Sequence, residues 1–121
     1  MYGISADLDL SDLIGQSLDG ILLARGSVVF NFTKSKISVQ GPIQIRKDDH
    51  EISTWLENET SATPAFTQLL GLETTSFSIS DGKMLDISFS EGLVLRLIDD
   101  SLQYESFQIY LSDVSADLII V

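Results

Sequence analysis

The chain has 121 residues, 44% of them hydrophobic, with 2 prolines, which fits one folded domain over residues 1–121 and excludes a long linker or low-complexity tail. It contains no cysteine, so disulfides, thiolate metal sites and a cysteine nucleophile are excluded together. Eighteen acidic residues against 7 basic ones give a formal charge of −11, a field that repels nucleic acid and anionic membrane and attracts basic proteins.

Positive charge is concentrated at Arg25, Lys34, Lys36, Arg46 and Lys47, whereas stretches 1–24, 48–60 and 97–121 carry acids and no lysine or arginine. Residues 1–7 have neither the positive n-region nor the apolar h-region of a signal peptide. No apolar run approaches the roughly 20 residues that span a bilayer. With the absence of cysteine, these features lead to the expectation of a soluble, cytoplasmic protein.

In chain order, residues 11–18 have the grammar of a short opening helix, with Ser11 as N-cap and Leu13, Ile14 and Leu18 on one face. From Gly20 the period changes, and 21–24 and 27–32 read as two strands turning at Arg25-Gly26. Residues 36–40 alternate with Ile37 and Val39 inward, Gly41-Pro42 marks a turn, and 43–46 alternates again. Stretch 47–62 is polar and acidic, broken only by Ile52, Trp55 and Leu56, and reads as a long surface loop with room for one helical turn. A second short helix follows over 63–71, capped by Thr63, with Pro64 in its first turn and Gly71 at its end.

The second half carries the clearest strand pattern. Strands over 74–80, 84–89 and 93–98, turning at Asp81-Gly82 and Glu91-Gly92, form a meander with Leu85, Ile87, Phe89, Leu93, Leu95 and Leu97 inward. Two closing strands, 107–111 and 118–121, flank a turn at 113–117. Segments 28–32 and 37–39, ending at 46–49, weakly echo 85–89 and 93–97, ending at Asp99-Asp100, an echo that two meanders sharing one alternation explain better than an ancient duplication. The fold class is α+β: a mainly antiparallel, twisted sheet of about seven or eight strands, curling toward a half-barrel, with two short helices.

Catalytic chemistry finds little to stand on. The one histidine, His50, sits in Asp48-Asp49-His50-Glu51, where adjacent residues splay apart and no second histidine completes a metal site. Glycines are scattered at turns, without a phosphate-binding loop, and no nucleophile elbow accompanies His50 and Ser53. Asp99-Asp100 reads as a polar turn. Trp55, flanked by Glu57 and Glu59, reads equally well as an interface anchor or as a lid over the core. No enzyme, cofactor or metal is expected.

Residues Asp99-Asp100-Ser101-Leu102-Gln103-Tyr104-Glu105-Ser106-Phe107-Gln108-Ile109, the closing Leu118-Ile119-Ile120-Val121 and the early Leu13-Ile14-Gly15-Gln16 resemble a family of small bacterial proteins. That family has an LIG element, a Phe-rich hairpin like Val29-Phe30-Asn31-Phe32, a D-S-x-x-Y-E-S-[FY]-x-I segment and an I-I-V ending. Some members look like immunity proteins encoded beside contact-dependent growth-inhibition toxins. The resemblance implies an antitoxin-like inhibitor of a cognate, basic, nuclease-type toxin domain, docking by acidic complementarity.

The acidic residues expected at that contact are Asp48, Asp49, Glu51, Glu57 and Glu59 around Trp55, with Asp99, Asp100 and Glu105 as a second set. The alternative is a homo-oligomeric structural or adaptor protein without catalytic activity, whose sheet edge pairs with a copy of itself.

Overall fold

Alternating apolar and polar residues dominate this chain, and alternation at period two is the pattern of a strand with one face buried. Ten strands result: β1 (Leu18–Ala24), β2 (Ser27–Phe32), β3 (Lys36–Val39), β4 (Ile43–Lys47), β5 (His50–Trp55), β6 (Thr74–Ser80), β7 (Met84–Phe89), β8 (Leu93–Ile98), β9 (Phe107–Tyr110) and β10 (Leu118–Ile120). Among the described residues, helix is confined to α1 (Pro64–Thr67) and two 3-10 turns, Ser11–Leu13 and Ser90–Gly92. The computed structural model describes residue 4 and residues 8–56, 64–99, 107–111 and 118–120. Among these, no helix is long and apolar enough to cross a membrane.

The strands form two five-stranded antiparallel sheets, ordered β1-β2-β3-β9-β10 and β5-β4-β8-β7-β6. Their inner faces share one core: Phe30, Ile37, Val39 and Ile109 from the first sheet, Ile43, Ile45, Ile87 and Leu95 from the second, all fully buried. Phe32 of β2 stacks on Phe89 of β7 across the core at 6.3 Å, and Phe30 meets Phe66 of α1 edge-on at 5.8 Å.

One seam joins the sheets. Gly15 N–H donates to Thr74 O (2.9 Å) and Gly71 N–H to Leu18 O (2.8 Å). Thr74 N–H donates to Gln16 O (2.9 Å) and Leu18 N–H to Leu72 O (3.0 Å), with Ser17 bridging Glu73 between them. Beyond this crossing β1 and β6 part.

The bonds at the seam come in matched pairs because the molecule repeats. Leu10, Leu13, Ile14, Gly15 and Leu18 occupy the places of Phe66, Leu69, Leu70, Gly71 and Thr74. Both glycines have positive φ, +92° and +83°, the left-handed conformation each turn needs before the chain enters its strand. Both first strands carry a bulge, between Leu18 and Gly20 and between Thr74 and Ser76. β2 and β3 then match β7 and β8: Val28 pairs with Val39 as Leu85 pairs with Leu97, and Phe30 with Ile37 as Ile87 with Leu95.

The following hairpins are exchanged. β4–β5 leaves the first repeat to extend the second sheet beside β8, and β9–β10 leaves the second repeat to extend the first sheet beside β3.

Three expectations from the sequence need correction. The opening helix over 11–18 is a single 3-10 turn: Gly15 at φ +92° ends it, and the backbone of 16–18 is bound to β6 instead. The loop over 47–62 contains β5, which pairs with β4. The described residues form ten strands in two sheets, more than the seven or eight expected. The coarse expectation, a mainly antiparallel sheet with little helix, is what the chain forms.

Candidate functional site

The acidic residues of greatest interest begin at the β4–β5 hairpin. Lys47 pairs with His50, so Asp48 and Asp49 form a two-residue turn, with φ of 52° and 65°. A turn with two left-handed residues matches the twist of the strands it joins, and aspartate is among the few residues that tolerate it. Arg46 braces the turn: Nη2 donates to Asp49 O (2.9 Å) and Nη1 to Gln44 Oε1 (3.1 Å). Asp48, Asp49, His50 and Glu51 are all exposed.

Because β4 lies between β5 and β8, this turn comes to rest against the β7–β8 turn. Lys47 pairs with Leu93, and a Cβ built on Gly92 would stand 3.4 Å from Asp48 Oδ1. Exposed Glu91 therefore joins Asp48, Asp49 and Glu51 on one rim of the second sheet. Its φ of 66° places it in the same kind of tight turn.

Next to the rim, on the outer face, Arg96 of β8 grips Asp86 of β7 with two charge-assisted bonds, Nε to Oδ1 at 2.8 Å and Nη2 to Oδ2 at 2.9 Å. These bonds to Asp86 hold the Arg96 pKa above its ordinary value against the opposing effect of partial burial, and the charge of Asp49 adds in the same direction. The guanidinium thus lies within the field of the rim.

Trp55 is not on this surface. It pairs with Ile43 at the far end of β5 and is 1% exposed, inside the core. Of its two sequence readings the buried one describes it, and a side chain so placed presents nothing to a partner. Asp99 is also buried (5%), just past the end of β8, where its N–H donates to Lys83 O. Six residues of β8 separate it from the rim, about 20 Å at strand rise. Of the two acidic sets, Asp48, Asp49 and Glu51 are therefore at one end of the sheet and Asp99 at the other. Glu57, Glu59, Asp100 and Glu105 lie outside the described residues.

Sequence reasoning missed Glu91 as part of the rim, and also the Asp86–Arg96 pair. The β7–β8 turn itself was legible, but its position against β4 depends on a pairing between segments far apart in the chain. Among the described residues, no group of three or more histidine, aspartate or glutamate side chains could hold a metal ion. The described pockets are open and shallow, lined around the β2–β3 turn by residues such as Gln16, Thr33, Lys34 and Tyr110.

Compared with family models, curated proteins and solved structures, the chain matches none.

Proposed function

We propose that this chain is a non-catalytic binding protein that engages a basic macromolecular surface through the acidic rim of its second sheet. The toxin-neutralising role implied by the sequence resemblance is the form of that function we favour. The observation that supports it is the convergence of Asp48, Asp49, Glu51 and Glu91 on one rim, all exposed, with Asp48, Asp49 and Glu91 set on two tight turns and Glu51 at the start of β5. A fixed array of carboxylates complements a phosphate-binding cleft and speeds encounter with it. We read the two seamed sheets as one curled surface, the half-barrel expected from the sequence, with the rim along its margin.

The test is to co-express the tagged chain with the protein encoded beside it and to measure what is retained. The expected result is a basic domain held one-to-one and toxic when produced alone. The variant Asp48→Asn, Asp49→Asn, Glu51→Gln keeps the turn geometry, since asparagine also tolerates the left-handed region. It should associate at least about tenfold more slowly and with a weaker dependence on salt. Retention of no basic partner, or unchanged association by this variant, would overturn the reading.

A further inference from the structure

The two strands that part at the seam leave outer edges of different kinds, and among the described residues that of β1 is open. Phe32 N–H donates to Ser35 O on the β3 side (2.7 Å). By alternation Phe30 and Val28 also turn their backbone groups toward β3. Their partners on β1, namely Leu18, Ile21 and Leu23, therefore turn theirs away from β2. At Leu18 these outward groups are bonded to Leu72 and Gly71. At Ile21 and Leu23, among the described residues, no strand receives them.

This edge lacks the usual guards. Natural edges are blunted with charge, proline or bulges, but Gly20-Ile21-Leu22-Leu23-Ala24 has no charge and no proline, and its bulge lies before Gly20. Leu22 is 59% exposed and Leu23 43%. Residues 20–47 contain no acidic side chain, so self-repulsion in this acidic chain is weakest here.

We propose that β1 pairs antiparallel with β1 of a second copy, in the register centred on Leu22. In that register Leu22 faces Leu22, Ile21 faces Leu23, and Gly20 faces Ala24. Asp19 then faces Arg25 of the second copy, and the same pair recurs on the other side of the two-fold axis. Both side chains are exposed, and among the described residues Arg25 has no ion-pair partner. The hydrogen-bonding phase agrees, since Ile21 and Leu23 are the residues with outward backbone groups, and they are the ones set opposite each other. Sliding by two residues keeps that phase but places Asp19 against Leu23, or Arg25 against Ile21. Only the Leu22-centred register matches both charge and phase. The result joins two first sheets edge to edge, and gives the homo-oligomer alternative a specific strand.

The test is sedimentation velocity of the full chain from micromolar to hundred-micromolar concentration, with Asp19→Arg, Arg25→Asp and the double variant. Wild type should run as a dimer. Each single reversal should weaken dimerisation at least about tenfold, because two like-charge pairs replace two opposite ones. The double variant should restore it, which also shows that the substituted strand still folds. A wild-type monomer throughout would overturn the proposal. So would a dimer indifferent to the single reversals, which would place the contact on another edge, and so would failure of the double variant to recover. The acidic rim takes no part in this experiment, so its outcome is independent of the binding reading above.

Discussion

β1 and β6 occupy the same place in the two repeats, yet their outer edges differ in chemistry. Each begins at the seam, carries a bulge in the same position and sends its first residue, Leu18 or Thr74, into the core. Beyond the bulge β6 presents Thr75, Ser76 and Ser78 to solvent, and Ile4 N–H reaches Gly82 O at the β6–β7 turn. β1 presents Leu22, Leu23 and Ala24 instead. The lesson is that the seam and the inward residues carry the repeat, and its outward residues are free to take different tasks. A polar edge is protected from association; an apolar one of self-complementary charge invites it.

The largest test of this comparison lies in the core. Leu13→Ala and Leu69→Ala remove equivalent, fully buried side chains, and each should cost about 2–5 kcal/mol in urea unfolding. The two costs should agree within about 1 kcal/mol if the repeats are physically equivalent. A silent substitution at either position would break the equivalence.

Gln16 is one place where the repeats diverge inside the seam, since its counterpart is Leu72. Its Nε2 donates to Asp12 O (2.8 Å) and Ser35 Oγ (3.0 Å), and its Oε1 accepts from Lys34 N–H (2.7 Å). Gln16→Leu would make the repeats alike at this position and should destabilise by about 1–3 kcal/mol, because partly buried groups lose their partners. A gain in stability on denaturation would show that shape at this position outweighs bonding. Gly15→Ala and Gly71→Ala come next, at about 1–2 kcal/mol each. Nothing lies within 4 Å of an added Cβ at either glycine, so the cost is that of the backbone conformation and should be alike in both.

The smallest effect is at the two turn starts. Asp9 accepts the Ser11 backbone N–H at 2.9 Å, which holds its carboxyl below the ordinary aspartate pKa, whereas its counterpart in α1 is Ala65. A depressed folded pKa means that the contribution of Asp9 is present above the unfolded pKa and fades as pH falls through the folded one. An NMR titration should place the Asp9 midpoint below that of an unstructured aspartate; a midpoint at or above it would remove this difference between the turns.

Much of the sheet was legible in the sequence, because β2, β3, β7 and β8 alternate without interruption and the turns at Gly26, Gly82 and Gly92 supply positive φ. β5 was not. Its bulge falls where Ile45 pairs with Ser53 but Arg46 with Glu51, so Ile52 interrupts the alternation, and the acidic residues at its start read as loop. The opening helix was misread because Leu13, Ile14 and Leu18 have helical spacing, while Ile14 faces outward and the backbone of 16–18 belongs to the seam. The echo of 28–32 in 85–89 was visible, but it read as two meanders sharing one alternation, and its last part was aligned wrongly. It is Phe107–Tyr110, not Asp99-Asp100, that answers to Ile43–Lys47, because each hairpin crosses to the other sheet. Such an exchange leaves no local trace. For the candidate site, the turn at Asp48-Asp49 was marked by charge, whereas its company with Glu91 depended on the same long-range pairing.

The most direct test of the β1 edge uses the absence of cysteine from the chain. Leu22→Cys, Ile21→Cys and Leu23→Cys would each place a single thiol on β1, and mild oxidation would report which residue meets itself. In the proposed register Leu22 faces Leu22 as a non-hydrogen-bonded pair, with Cα atoms about 4.5 Å apart, within disulfide reach. The account predicts rapid, near-complete disulfide dimer for Leu22→Cys and little for the two flanking variants. Equal crosslinking at all three positions, or none at Leu22→Cys, would contradict it.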